Sequence, residues 1–263
     1  MKHRTVDRLS VEVHRTRAEM GAAAGDMVAG LIADEVRRAG HAAVIFASAP
    51  SQNEFLAALR TDSRVEWSRV AAFHLDEYVG VGPDHPASFR RFLRDRLFDF
   101  VPVAAFHQLD GAAADPAAEC ARYAALLAEA RPCLAVLGVG ENGHLAFIDP
   151  PLCDFDDPSD VRVVELDPVC RRQQVHDGGF AHLDDVPPTA LSLTIPRIMR
   201  VPRAVAIVPG PAKRDAVRAT LLGPIAPSCP ASILRRHPSA TLFLDLQSAA
   251  GLDAPADPAA PLT

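Results

Sequence analysis

The run Cys133-Leu134-Ala135-Val136-Leu137-Gly138-Val139 is apolar throughout and passes at once into Gly140-Glu141-Asn142-Gly143-His144-Leu145-Ala146-Phe147. A short uninterrupted apolar run bounded by turn residues predicts a strand buried on both faces, as in a parallel sheet covered by helices. Ligands of such sheets bind beyond the carboxyl ends of the strands. Glycines at 138, 140 and 143 let the backbone come close to a small ligand and take left-handed angles. His144 then sits at the rim of a site, with Asp149 five residues further on. A plain strand-to-helix turn uses the same glycines, so this loop alone does not specify chemistry.

A second apolar run, Val70-Ala71-Ala72-Phe73-His74-Leu75, ends in Asp76-Glu77-Tyr78-Val79-Gly80. Carboxylates at the end of a buried strand are costly unless solvated or used, which marks Asp76 and Glu77. Similar apolar runs predict strands at 10–13, 42–47, 161–166, 190–195, 204–208 and 241–244. Helical patterns predict helices at 18–38, 52–60, 87–98 (Arg and Asp on its outer face), 116–129 and 211–222, the last with Pro at its start. The alternation implies an α/β fold: one doubly wound, mostly parallel, Rossmann-like sheet in a single domain over 1–250. Residues 251–263 are rich in Ala, Pro and Asp without apolar periodicity and read as a disordered tail. The Pro- and Asp-rich stretch 149–160 reads as a surface loop beside the site, either a lid or a plain acidic loop.

A formal net charge of −6 with no basic run argues against nucleic acid as a partner. No apolar stretch nears the roughly 20 residues that span a bilayer, and no signal-peptide core opens the chain, so no membrane partner is expected and the cytoplasm is the default location. The five cysteines, Cys120, Cys133, Cys153, Cys170 and Cys229, are scattered and form no C-x-x-C pair. Neither disulfides nor a structural zinc site is indicated, and Cys153 and Cys170 read as inert thiols. His74, two residues before Asp76, is expected on the same strand face as Asp76, and a metal there is disfavoured.

Three segments occur in order: Phe73-His74-Leu75-Asp76-Glu77-Tyr78-Val79-Gly80, His85-Pro86-Ala87-Ser88-Phe89, and the loop from Gly138 to Pro150. Together they resemble the glucosamine-6-phosphate deaminase/isomerase family, related to the 6-phosphogluconolactonases, whose patterns are F-x-x-D-E-Y-x-G, H-P-x-S-[YF] and G-x-G-x-[DN]-G-H-x-[AG]-F-N-E-P. The resemblance runs from about Val44 to Leu246. It implies conversion of glucosamine 6-phosphate to fructose 6-phosphate and ammonia, a small-molecule sugar phosphate as partner, and no metal or redox cofactor. Homo-oligomers are common in that family, although the sequence shows no interface.

The resemblance also implies roles. Asp76 carries the proton between C2 and C1, a task suited to a carboxylate. His144 opens the ring, since imidazole titrates near neutrality, and Asp149 fixes its tautomer. Asn142 orients substrate or His144, and Gly143 brings backbone near the substrate. Glu77 points away from Asp76 and borders the substrate site, holding the loop or an arginine rather than sharing the chemistry. Phosphate falls to Lys213, to Arg171 or Arg172, and to the hydroxyls of Ser48 and Ser51 with the amides of the helix that follows. Ser51 can equally serve as an N-cap, with Glu54 three residues later.

The chain departs from the pattern in three places. Asp149 stands for the usual Glu, Ile148 for the usual Asn, and Phe46-Ala47-Ser48-Ala49-Pro50-Ser51-Gln52 lacks the glycines of the usual phosphate loop. Two other readings stay open: a 6-phosphogluconolactonase-type hydrolase, and a sugar-phosphate sensor that kept the fold without turnover. Tyr78 and the stretch 145–149 fit the deaminase pattern better than the lactonase one.

Overall fold

The computed structural model describes residues 2–252, so all but the first two residues of the expected tail lie outside the described residues. The chain opens with a hairpin, β1 (Lys2–Val6) against β2 (Leu9–His14), followed by α1 (Arg17–Ala39). Thr16 caps α1 by accepting from the Glu19 amide, and Gly40, with φ of 80°, ends it. Next come β3 (Ala42–Phe46), α2 (Asn53–Leu59), β4 (Val70–His74), β5 (Asp76–Tyr78) and α3 (Phe89–Leu93). A π-helical turn, Arg94–Phe98, extends α3. Then follow β6 (Ala105–Phe106), α4 (Pro116–Ala130), β7 (Leu134–Leu137), β8 (Val161–Glu165) and α5 (Pro168–His176). The last elements are β9 (Thr189–Leu193), α6 (Ile195–Met199), β10 (Arg203–Val208), α7 (Arg214–Leu222) and β11 (Ala240–Asp245).

Eight strands form one sheet in the order β1-β2-β11-β10-β7-β3-β4-β6. All neighbours in it are parallel except the β1–β2 edge pair. Strand residues alternate between two cores, which is the period-2 signature of a sheet covered on both faces. Val44, Phe46, Val136 and Ile207 pack with Ala24, Val28 and Ile32 of α1 and Phe55 and Leu59 of α2. Ile45, Leu137, Ala206 and Leu244 face Tyr123 and Leu127 of α4 and Val217 and Leu221 of α7. From β3 the chain builds outward to β4 and β6, then returns to lay β7 on the other side of β3 and builds toward β10 and β11. The order reverses between β3 and β7, and a crevice opens there past their carboxyl ends.

Two expectations need correction. The strands expected at 161–166 and 190–195 do not join the parallel sheet; β8 and β9 pair antiparallel with each other and with β5 in a separate three-stranded sheet. Asp76 therefore belongs to a different sheet from His74, and their expected common face does not exist. The His74 ring turns inward: Nδ1 lies 2.9 Å from the Asp76 carbonyl and Nε2 accepts from the Leu109 amide at 2.9 Å. Burial pushes its pKa down to about 3, so it is a neutral, fully bonded core histidine with no capacity left for a metal.

Candidate active site

The crevice gathers the segments that leave β3 (Ala47 to Ser51), β4 (Leu75 and Asp76) and β7 (Gly138 to Gly140), together with Lys213 after β10. Pro86 to Phe89 close one wall, and Gln173, Gln174 and Asp177 from the end of α5 close another.

Asp76 stands in this cleft at 7% exposure, and among the described residues no hydrogen bond reaches its carboxyl group. Burial first, and the charge of Glu77 second, raise its pKa well above the ordinary value. Burial raises the pKa of its neighbour too, but that carboxyl is fully hydrogen-bonded. Glu77 is fully buried and accepts from Ser88 Oγ (2.8 Å) and from the amides of Phe89 and Arg90 (3.2 Å each), with Arg90 Nε 3.3 Å away. The His-Pro-x-Ser stretch thus serves to moor Glu77. Glu77 does not line the cleft, so its expected place among substrate-binding residues is replaced by a mooring one. Buried Tyr78 donates to Gln174 Oε1 and packs against Phe89, Phe147 and Phe180.

The loop after β7 is bound together by its own side chains. His144 Nδ1 lies 3.0 Å from Asp149 Oδ1, the same oxygen accepts from Asn142 Nδ2 at 2.9 Å, and Asn142 Oδ1 accepts from the His144 amide at 3.1 Å. Asp149 Oδ2 accepts from the Asp167 amide at 3.1 Å. Burial raises the Asp149 pKa, but the hydrogen bonds from His144, Asn142 and Asp167 outweigh it and the net shift is downward. An ionised carboxylate only accepts, so His144 Nδ1 carries a proton, and in the neutral ring the lone pair falls to Nε2. Of these residues His144 lines the cleft, while Asn142, Gly143 and Asp149 stand behind it.

Two glycines make this arrangement possible. A Cβ on Gly140 would fall 2.3–2.4 Å from three atoms of the His144 ring, so the imidazole lies directly on that backbone. Gly143, at φ +84°, takes a left-handed turn against Cys229, where a Cβ would sit 2.8 Å from Sγ. Ala146, at φ 51°, makes the same excursion with a side chain attached, at a cost of order 1 kcal/mol.

His144, Asp149 and Cys170 are the group among the described residues whose ligand atoms, all within 4.8 Å, could hold a metal ion. Burial holds the Cys170 thiol well above its usual pKa, with the Asp149 charge adding to the rise, so in the absence of a cation the sulfur is a protonated thiol.

The other end of the cleft is cationic. Lys213 is 8% exposed and forms no ion pair among the described residues; burial lowers its pKa. Ser48 Oγ is buried without a hydrogen-bond partner, and Ser51 Oγ accepts from Gln52 Nε2 at 2.9 Å. Ser51 is not an N-cap: it lies in a 3-10 turn, Pro50–Gln52, and Glu54 pairs with Arg17 at 2.7 Å. Neither Arg171 nor Arg172 lines the cleft, against expectation. Arg171 donates to the carbonyls of Leu183 and Val186 at 2.8 Å, and Arg172 is exposed. Helix α5 turns toward the cleft by its other side, with Gln173 and Gln174. The stretch 149–160 contributes no residue to the lining of the cleft.

Four polar side chains of the lining escape the sequence reading: Arg96, Gln173, Gln174 and Asp177. Arg96 carries one signal, Phe92 four residues before it on the same helix face. The two glutamines and Asp177 carry none, because polar residues of a helix without apolar periodicity resemble a solvated surface.

Fold and cleft define an α/β protein with a buried carboxyl and a tautomer-fixed histidine facing one cleft, and a buried lysine at its other end. The chain belongs to the family described as glucosamine-6-phosphate isomerases/6-phosphogluconolactonase, whose pattern matches residues 15–243. It is 32% identical over 246 residues to a glucosamine-6-phosphate deaminase of Lactobacillus delbrueckii subsp. bulgaricus, covering 93% of this chain and 99% of that one. A deaminase of an Exiguobacterium species is 38% identical over 181 residues, 69% of each chain. A solved monomeric glucosamine-6-phosphate deaminase superposes with a TM-score of 0.83 at 27% identity, covering 92% of this chain and 99% of that chain. The 6-phosphogluconolactonase of Trypanosoma brucei shares the fold at a TM-score of 0.75 and 19% identity, over 95% of this chain and all of its own.

Proposed function

We propose that the protein is a glucosamine-6-phosphate deaminase, and the observation that carries this reading is the unbonded, buried carboxyl of Asp76 facing the same cleft as His144. The reaction consumes glucosamine 6-phosphate and water and yields fructose 6-phosphate and ammonia. His144 Nε2 takes the proton of the anomeric hydroxyl and delivers it to the ring oxygen, opening the pyranose to the aldehyde. Asp149, held ionised, stabilises the imidazolium that forms in between, and Asn142 keeps Asp149 and the loop in register.

Asp76 then takes the C2 proton. The electron pair left on C2 moves into the C1–C2 bond, and the aldehyde oxygen becomes a hydroxyl by taking the proton that the substrate's ammonium group gives up, giving an enolamine. Return of the proton to C1 leaves an imine at C2, and water replaces its nitrogen to release ammonia. A raised pKa makes Asp76 a stronger base once ionised, and the substrate's ammonium group favours the ionised form. Lys213 and Ser48 bind the phosphate, and Ser51 adds a hydroxyl to that end. Gly143 acts at one remove, through the turn that seats His144.

The chemistry consists of proton transfers and a hydrolysis, and the cytoplasm is the location that goes with this proposal. Ammonia release from glucosamine 6-phosphate, followed by a coupled assay, tests the reading. Release is expected; hydrolysis of 6-phosphogluconolactone instead would assign the lactonase activity, and binding without turnover would make the protein a sensor.

A further inference from the structure

We infer that Arg96 is a second cation of the phosphate subsite, taking the place that sequence alone gives to Arg171 or Arg172. This rests on the deaminase reading above for the identity of the ligand, but the geometry behind it stands separately. Arg96 lines the cleft together with Ser48, Ser51 and Lys213. Its Nε donates to Asn53 Oδ1 at 2.8 Å, and Asn53 directly follows the Ser48–Gln52 segment. Its guanidinium carbon lies 4.0 Å from the centroid of the Phe92 ring. An amide oxygen and an aromatic face therefore hold the group in position, and both leave its charge unneutralised.

Most arginines of this protein are paired: Arg90 with Glu77 and Asp110, Arg94 with Asp84, Arg162 with Asp157. Arg96 has no carboxylate partner among the described residues. Ser48 Oγ, in a side chain only 5% exposed, is likewise without a partner on the same cleft wall. A preorganised fork, a buried hydroxyl and an unpaired lysine facing one space are complementary to a tetrahedral oxyanion. The absence of glycine at 47–52 removes the close backbone approach that a cradling loop needs. Side-chain donors then carry the phosphate.

The test is the kinetics of Arg96→Ala and Arg96→Gln on glucosamine 6-phosphate, with calorimetric titration of inorganic phosphate into each variant and the wild type. Both substitutions should raise KM about tenfold to hundredfold, the usual loss for a charge-assisted hydrogen bond, with a smaller change in kcat. Phosphate affinity should fall in parallel, and binding of unphosphorylated glucosamine should not change. Arg60→Ala is the control, since Arg60 stacks on Phe100 at 4.4 Å away from the cleft; it should behave as wild type. Unaltered KM and phosphate affinity in the two Arg96 variants would overturn the inference, as would equal losses for glucosamine or a wild type that binds no phosphate. If the wild type binds phosphate through Arg96 but releases no ammonia, the inference stands and the deaminase reading fails.

Discussion

At the loop after β7 the polar side chains answer one another: Asn142, His144 and Asp149 form a closed set of hydrogen bonds, sealed by the Asp167 amide. Across the cleft, Ser48 Oγ has no hydrogen-bond partner and Lys213 and Arg96 have no carboxylate partner among the described residues. One end is internally satisfied, so its geometry is fixed before substrate arrives, as proton transfer requires. The other end holds polar groups at a desolvation cost that an anion would relieve. Substitutions at the two ends should therefore separate, with kcat falling at the first and KM rising at the second.

Asp76 should give the largest effect. Asp76→Asn is expected to lower kcat by about a hundredfold to ten-thousandfold, the range for a lost general base, with KM nearly unchanged. The same substitution should stabilise the fold. Because the folded-state pKa of Asp76 is raised, the native protein binds more protons than the unfolded chain above about pH 4, and its stability falls as pH rises through that window. Asparagine does not ionise and removes the penalty, so thermal unfolding at pH 7 should show a higher Tm for the inactive variant. The acid limb of kcat/KM should also lie above the ordinary carboxylate range, because Asp76 must lose its proton to act. A lower Tm, or an acid limb near pH 4, would contradict the assignment.

Next come His144→Gln and Asp149→Asn, each expected to cost about a hundredfold or more in kcat. An amide at 149 can present N–H to Nδ1 and so reverse the tautomer. Gly140→Ala tests the same geometry without replacing a titrating group. Its methyl overlaps the imidazole and should cost on the order of a hundredfold in kcat, the effect of shifting a catalytic group by about 1 Å. Wild-type kcat in Gly140→Ala would show that His144 does not act from the observed position.

Lys213→Ala belongs to the other end, with KM for glucosamine 6-phosphate up about tenfold to hundredfold and kcat much less changed. Equal losses on unphosphorylated glucosamine would remove Lys213 from the phosphate contact. The smallest effect is expected of Ala146→Gly. Relief of the left-handed backbone at φ 51° should stabilise the protein by up to about 1 kcal/mol in denaturant titration, with activity retained.

The comparison also explains what the sequence discloses. Strands buried on both faces are legible, because the uninterrupted apolar runs around β3, β4, β7 and β10 suit nothing else. The loop at 138–150 and the Asp76 strand end are legible by their spacing and family resemblance. The edge strand β1, Lys-His-Arg-Thr-Val, buries little and carries no apolar signal. Strands β8 and β9 are visible as strands, but their alternation does not say which sheet they join. Helix α5 is hidden for a functional reason: its buried residues are Cys170, Gln173 and Gln174, so polar side chains point inward where a hydrophobic pattern looks for apolar ones. The cationic end is the least legible part, since an arginine held by Asn53 and Phe92 reads in sequence as one more charge on an outer helix face.

The central claim, that Asp76 moves a proton between C2 and C1 of an amino-sugar phosphate opened by His144, is read most directly by solvent exchange. Glucosamine 6-phosphate in deuterium oxide, followed by proton NMR, should lose its C2 proton signal with wild-type protein as ammonia and fructose 6-phosphate form. With Asp76→Asn at saturating substrate, the C2 signal should persist while calorimetry still shows binding. Exchange at near wild-type rate in Asp76→Asn would contradict the account, because the proton would then be leaving C2 to another base.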